Sequence, residues 1–230
     1  ERKLVEELRS CIDWLARLNP ADRADVRSVL QTIVRGQEFD LKRFGDPART
    51  ISLRTAAELE EYTYLVAGSV GDFWTKIGFR KFPRFATRSP NEMISLGIAY
   101  GKGLQLINVL RDRGADLRNG RDYLPAEELA VAPLDEVFTR WLDRAENGIT
   151  AGIDYCFALT NWRVRFATAL PALIGARTIA LLRKTGPESP SQKTKIPRKE
   201  VRRILLAAFL AAASPLALRA LFARLSAKPG

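Results

Sequence analysis

The sequence predicts an all-α fold, and three observations point to it. Apolar residues recur at intervals of three and four, as in Leu4, Leu8, Cys11, Ile12 and Leu15. No segment alternates apolar and polar residues with the period of two that a half-buried strand requires. Prolines and polar caps divide the chain into helix-sized stretches. The 230 residues, 47% of them apolar and 27% charged, suffice for a single well-buried domain spanning 1–230.

The opening residues Glu1 to Glu7 read as a charged helix and not as a signal peptide. Asn19 is a cap with Pro20 behind it at the first helical position, which predicts a helix over Ala21–Arg35 that stops at Gly36. A long helix is expected over Thr55–Lys76, followed by a loop with Pro83 and Pro90 and a very apolar helix over Asn91–Arg113. Pro133 opens the next, Leu134–Ala158, and Pro171 within Thr168–Arg183 predicts a kink or a helix start. Residues 186–198 read as a basic, linker-like loop and 198–226 as a C-terminal helical segment. Its uncharged run Ile204–Leu218 has 15 residues broken by Pro215. A bilayer span needs about 20, so the run is expected to pack on the core.

Lys and Arg number 37 against 26 Asp and Glu, a formal charge of +11, and histidine is absent. That absence removes Ser-His-Asp and Cys-His catalysis, HExxH zinc sites and His-ligated haem. Two distant cysteines, Cys11 and Cys156, exclude a disulfide scaffold and fit a reducing, cytoplasmic compartment. Twelve basic residues against Glu188 and Glu200 lie between Arg177 and Gly230. The basic cluster Lys193 to Arg203 has no interleaved aromatic residues, so no nucleic acid partner is expected. Peripheral contact with an anionic surface, such as the inner membrane, is the expectation instead. The chain begins without Met and without a helix cap, which predicts a segment of something longer, lacking N-terminal helices.

The chemistry concentrates in Gly101 to Pro125. Gln105, Asn108, Asp112 and Asp116 are spaced by three, four and four, which places them in one stripe if the helix continues to Asp116. Leu104, Leu106, Ile107, Val109 and Leu110 surround the stripe, and a polar stripe on a buried helix needs compensation. Asp112 and Asp116 are also the only acidic pair in the sequence at the i, i+4 spacing. Stacked carboxylates repel unless a cation lies between them, and oxygen-only ligation with Asn108 suits Mg²⁺. Mg²⁺ fills its remaining positions with water and phosphate oxygens, so a phosphate ester is the expected ligand. Arg111, Arg118 and Arg121 lie close by to clamp its oxygens, or else pair with the carboxylates as a structural network. A second segment, Val66 to Gly71, is too small to fill a core by itself. Either a neighbouring helix packs closely on it or the apolar tail of a ligand does, with Tyr62 one turn earlier on the same face.

Together the two segments resemble the squalene/phytoene synthase family, the head-to-head isoprenyl diphosphate synthases. Tyr62-x-x-x-Val66-Ala67-Gly68-x-x-Gly71 is similar to one signature of that family. The stretch Gly101-x-x-x-Gln105-x-x-Asn108-x-x-Arg111-Asp112-x-x-x-Asp116-x-x-x-x-Arg121-x-Tyr123-x-Pro125 is similar to the other. The resemblance implies an isoprenoid synthase helical bundle with a central cavity. It further implies that Asn108, Asp112 and Asp116 bind Mg²⁺ holding the diphosphate of a C15 or C20 prenyl donor. Loss of the diphosphate would leave an allylic cation, which the second prenyl chain attacks to give a cyclopropyl intermediate. Arg111, Arg121 and Tyr123 would face the diphosphates, Gln105 would join the substrate site, and Val66, Ala67 and Gly71 would line the prenyl channel. Tyr62 matches a position assigned to catalysis or to stabilising the cation, together with Asp112 and Asp116.

Tyr62-Thr-Tyr-Leu-Val-Ala-Gly and Gly71-Asp-Phe-Trp-Thr75 resemble bacterial squalene synthases, which implies farnesyl diphosphate as substrate, squalene as product and NADPH as reductant. No GxGxxG follows a strand, so a nicotinamide would bind outside a Rossmann domain. Phytoene, dehydrosqualene or presqualene diphosphate formation without reduction is the alternative. The family also carries an earlier Asp-rich motif, which has no equivalent between Glu1 and Glu61; Asp22-x-x-Asp25 has the wrong spacing. Either upstream helices supply that motif, or the chain is a non-catalytic, membrane-associated binding protein.

Overall fold

The structure is a computed structural model that describes residues 2–46, 49–187 and 195–227. Helices α1 (Arg2–Arg17) and α2 (Pro20–Arg43) are joined at the expected cap, where Asn19 Oδ1 accepts the Asp22 N–H at 2.9 Å. Helix α2 does not stop at Gly36. A Cβ at that position would lie 2.6 Å from Val66 Cγ1, so the glycine serves close approach to the next layer and not termination.

The predicted Thr55–Lys76 helix is a rod of three pieces. Thr55 caps α3 (Ala56–Thr63) through the Glu58 N–H, a π-helical turn covers Tyr64–Gly68, and α4 runs over Ser69–Lys81. A capping box of Ser89 and Glu92 then opens α5 (Pro90–Arg118), so the apolar helix extends past Arg113 to include Asp116. After α6 (Ala126–Leu129), α7 covers Leu134–Ala158 as expected. Helix α8 (Trp162–Thr185) starts earlier than expected and carries Pro171 in its interior. The segment after the linker is two helices, α9 (Arg198–Ala211) and α10 (Pro215–Ser226), with Pro215 at the first position of the second. Within the linker, residues 188–194 lie outside the described residues.

The expectation of no strand is corrected by a small parallel pair, β1 (Ile51–Leu53) and β2 (Arg121–Pro125). Ile51 pairs with Arg121 and Ser52 with Asp122 before the register shifts at Leu53. These strands are too short for periodicity, and the alternation in β2 sorts polar groups in place of apolar ones. Arg121 and Tyr123 share one side, whereas Asp122 takes a bidentate bond from Arg113 of α5 at 3.1 and 2.7 Å.

Helix α5 is the axis of the bundle. The π turn and α4 pack on one side of it and α7 on the other, α8 lies against α7, and α9 and α10 close over α8. Trp141, Ile149, Ile153 and Leu173 are fully buried along this seam. Helices α5 and α8 are long and apolar enough to cross a membrane by length and composition, and 44% and 56% of those windows are buried inside the bundle. Ile204, Ala208 and Leu218 anchor the last two helices as expected of the uncharged run. Arg165, also buried, fixes their position. Its guanidinium donates to the carbonyls of Cys156, Leu159 and Ala212, tying the C-terminal ends of α7 and α9 together with a cation where helix dipoles favour one.

Candidate active site

A cavity of about 370 Å³ opens between the π turn, α4, α5 and α8. Val66, Ala67, Val70, Gly71 and Trp74 form one wall, and Gly97, Gly101, Leu104, Gln105 and Asn108 of α5 form the wall opposite. The wall is close to α5 because both sides are small. A Cβ on Gly71 would lie 1.9 Å from the Gly97 carbonyl oxygen. The stretch Val66 to Gly71 therefore meets both readings of its composition: it packs helix on helix and borders the cavity. The π turn sits at its head, a distortion that recurs at functional sites.

Gln105 and Asn108 mark the polar end of the cavity, and Asn108 Nδ2 donates to Gln105 Oε1 at 3.4 Å. Asp112 and Asp116 follow on the same face of α5 at one-turn steps, so Asn108 to Asp116 extends about 12 Å along the axis. Arg111 holds Asp112 through Nε at 3.2 Å and Nη2 at 2.5 Å. The Asp112 side chain is 26% exposed.

Beside the stripe, β2 delivers Arg121 and Tyr123 to a group that sequence reading missed. Asp40 of α2, 7% exposed, accepts the Tyr123 hydroxyl at 2.5 Å and Arg121 Nη1 at 2.7 Å. Tyr62 stacks on Tyr123 with ring centroids 4.9 Å apart, and its hydroxyl neighbours Tyr123 and Gln105. Burial raises the pKa of both tyrosines, and for Tyr123 the bond to the Asp40 carboxylate adds to the effect. Both hydroxyls therefore stay protonated through the physiological range.

The structure thus places Val66, Ala67, Gly71, Gln105 and Asn108 on the cavity. Tyr62, Tyr123 and Arg121 lie together beside its polar end, where the nearby Asp116 carboxylate adds to the effects that favour the protonated forms of Tyr62 and Arg121. Arg111 lies on Asp112, whereas Arg121 gives its Nη1 to Asp40. Val70 and Trp74 were missed although they continue the spacing of Val66 by one and two turns. Tyr155 and Thr168 arrive from α7 and α8 and have no local signal. Among the described residues no three Asp, Glu, Cys or His side chains gather closely enough to hold a metal ion. Two carboxylates and an amide oxygen nevertheless fit Mg²⁺, which takes one or two protein carboxylates and completes its shell from water and phosphate.

A sequence profile described as squalene/phytoene synthase matches residues 2–200. The chain belongs to the squalene/phytoene synthase family. Among curated members, a bifunctional lycopene cyclase/phytoene synthase of Arthroderma gypseum is 34% identical over 128 residues, 55% of this chain and 21% of that protein. Phytoene synthase 3, chloroplastic, of Zea mays is 36% identical over 126 residues, 54% of this chain and 26% of that protein. The aligned part thus spans about a fifth to a quarter of these squalene/phytoene synthase relatives. Solved structures show the same isoprenoid synthase fold. TcSQS in complex with a ligand superposes with a TM-score of 0.78 at 21% identity, covering 100% of this chain and 69% of that one. Squalene synthase HpnC from Alicyclobacillus acidocaldarius gives 0.54 at 20% identity, covering 68% and 59%.

Proposed function

We propose that this protein condenses two farnesyl diphosphates head to head, through presqualene diphosphate, to squalene, with Mg²⁺ and NADPH as cofactors. One observation carries the reading. A single helix, α5, presents an apolar cavity wall at Gly97–Leu104 and, continuous with it, the polar stripe Gln105, Asn108, Asp112 and Asp116. An amphiphile with a prenyl tail and a diphosphate head matches that polarity.

Val66, Ala67, Val70 and Trp74 exclude water from the tail, which protects any allylic cation formed there. Asn108, Asp112 and Asp116 would hold Mg²⁺ at the diphosphate end. Bound there, the ion supplies charge neutralisation for the departing diphosphate. Arg111 and Arg121 add guanidinium donors for its oxygens once they exchange their carboxylate partners. The protonated, stacked pair Tyr62 and Tyr123 presents aromatic faces beside the stripe, and such faces favour a cation.

A second reading, phytoene, dehydrosqualene or presqualene diphosphate as the end product without reduction, is favoured by the curated relatives being phytoene synthases. Incubating the full-length gene product with C15 or C20 prenyl diphosphates, with and without NADPH, separates the two. Squalene formed only from the C15 donor and only with NADPH is the expected result. A product unchanged by NADPH supports the second reading, and no diphosphate release supports a non-catalytic binding protein.

We also propose that α9 lies on an anionic membrane. Ile204, Ala208 and Ala211 face the core, while Leu206, Phe209 and Leu210 are 64%, 52% and 70% exposed. Lys199, Arg202 and Arg203 are exposed on the preceding turns. Each such cation contributes about 1 kcal/mol at an anionic surface. The protein is expected to float with phosphatidylcholine/phosphatidylglycerol vesicles and not with phosphatidylcholine alone. Replacing the three cations by Glu should abolish flotation, and equal flotation on both compositions counts against the assignment. Lys193, part of the basic cluster in the sequence, lies outside the described residues.

A further inference from the structure

The cavity has a length as well as a volume. Its α5 wall begins at Asn108 and ends at Gly97. Eleven residues at about 1.5 Å each make that wall about 16 Å long. One turn beyond Gly97 the same row arrives at Met93, which is fully buried. There the space is filled from α7. Tyr155 lines the cavity, and its hydroxyl lies 3.0 Å from Thr75 Oγ1, the atom that a Cβ on Gly97 would meet at 2.9 Å. Thr75 Oγ1 gives its own proton to the Gly71 carbonyl at 2.8 Å, so the Tyr155 hydroxyl is the donor of the pair. Behind the Tyr155 ring stands a second buried cluster, with Phe85 edge-on at a centroid distance of 6.3 Å and Met93 and Leu159 beside it. The phenol is pinned at its tip and backed along its ring, so close packing keeps it from swinging aside.

We propose that Tyr155 sets the length of the prenyl tail, stopping it at three isoprene units, and so selects a C15 donor over a C20 one. The proposal rests on the reading of this cavity as the site of a prenyl chain. An isoprene unit contributes four bonds to the main chain of the tail, each about 1.5 Å, and with the zigzag it spans about 5 Å. Three units laid from Asn108 reach about 15 Å, to Gly97 and the edge of the Tyr155 ring. A fourth needs about 5 Å more, and the phenol occupies that space. The other way on leads past the half-exposed Trp74, where a fourth unit stays in water and gains nothing from burial. Val70 and Leu104, on the walls nearer the polar end, meet both tails alike, so the discrimination falls on the last unit.

The test is titration calorimetry of the full-length protein, with Mg²⁺ present, against C10, C15 and C20 prenyl thiodiphosphates, whose sulfur link resists loss of the diphosphate. On the unaltered protein, affinity should rise at least about tenfold from C10 to C15 and fall at least about tenfold from C15 to C20. Tyr155→Leu clears the end of the channel and should bring C20 level with C15, a change of about tenfold or more in their ratio. Tyr155→Phe loses the hydroxyl but keeps the ring, and should retain the original ratio. Each ratio is taken within one preparation, so any unfolded fraction divides out of it. If C20 binds the unaltered protein as tightly as C15 or more tightly, the stop is overturned, whether or not the variants fold. A ratio unchanged in Tyr155→Leu, or lost equally in Tyr155→Phe, overturns it as well. If none of the three tails binds, the prenyl reading of the cavity fails and takes the proposal with it.

Discussion

Asp112→Asn is expected to lower Mg²⁺-dependent diphosphate release by roughly 10³-fold or more, about 4 kcal/mol of transition-state stabilisation, while leaving the fold intact. The fold should tolerate it because the Asp112 side chain is partly exposed and its carboxylate is held by the adjacent Arg111. An exposed pair of this kind contributes about 1 kcal/mol at most. Asp122, ten residues on in the same signature, is the informative contrast. It is 4% exposed, takes both guanidinium bonds of Arg113 and accepts the Leu124 N–H at 3.2 Å. Asp122→Asn should therefore lower the unfolding midpoint, leaving Arg113 without its carboxylate. Diphosphate release and thermal unfolding, measured on both variants, check the separation. Undiminished diphosphate release in Asp112→Asn would remove Asp112 from the metal-binding set.

The second large effect is structural. Gly71→Ala adds one methyl group, 1.9 Å from the Gly97 oxygen and 2.4 Å from its carbon, and neither atom belongs to a side chain that can rotate away. Helix α4 must part from α5 or bend. Overpacking on this scale costs about 3 kcal/mol, which for a chain of this length lowers the midpoint by about 6–12 °C. The same movement displaces Val70 and Trp74, so turnover should fall even at temperatures where the variant is folded. Val70→Ala, at a neighbouring position 41% exposed, should change stability by less than about 1 kcal/mol. Chemical denaturation of the two variants decides the matter: an unchanged midpoint for Gly71→Ala would mean that the two helices separate freely.

Elements with strong local signals were legible. The helix Leu134–Ala158 was readable to its ends because Pro133 opens it, and the stripe on α5 because its spacing is internal to one helix. What escaped was set by contacts between distant segments. Gly36 carries the local signature of a stop, yet its lack of a side chain is required by Val66, thirty residues later. The two strands consist of three and five residues, and β2 spends its alternation on Arg121, Asp122 and Tyr123. Asp40 reads locally as one more solvated acid on a charged helix; its partners Arg121 and Tyr123 lie 81 and 83 positions further on. Of the site, the residues in the two signatures were visible, and those supplied by α2, α7 and α8 were not.

The π turn at Tyr64–Gly68 makes insertion and deletion a different kind of change from substitution in this region. A helix advances about 100° per residue, so one residue gained or lost reorients everything downstream by more than a quarter of a circle. The turn holds an extra residue inside a continuous rod, and it sets the phase between Tyr62 before it and Gly71 after it. A one-residue deletion inside it removes the bulge and restores ordinary α geometry with the downstream phase kept. Forcing α geometry on the same number of residues, by contrast, would turn Gly71 away from Gly97, and Thr75, which lies against Gly97 one turn further on, would turn with it. The spacing from Tyr62 to Gly71 thus acts as a gear ratio in which the π turn carries the spare tooth: the two helices stay engaged only while the turn and the residue count change together.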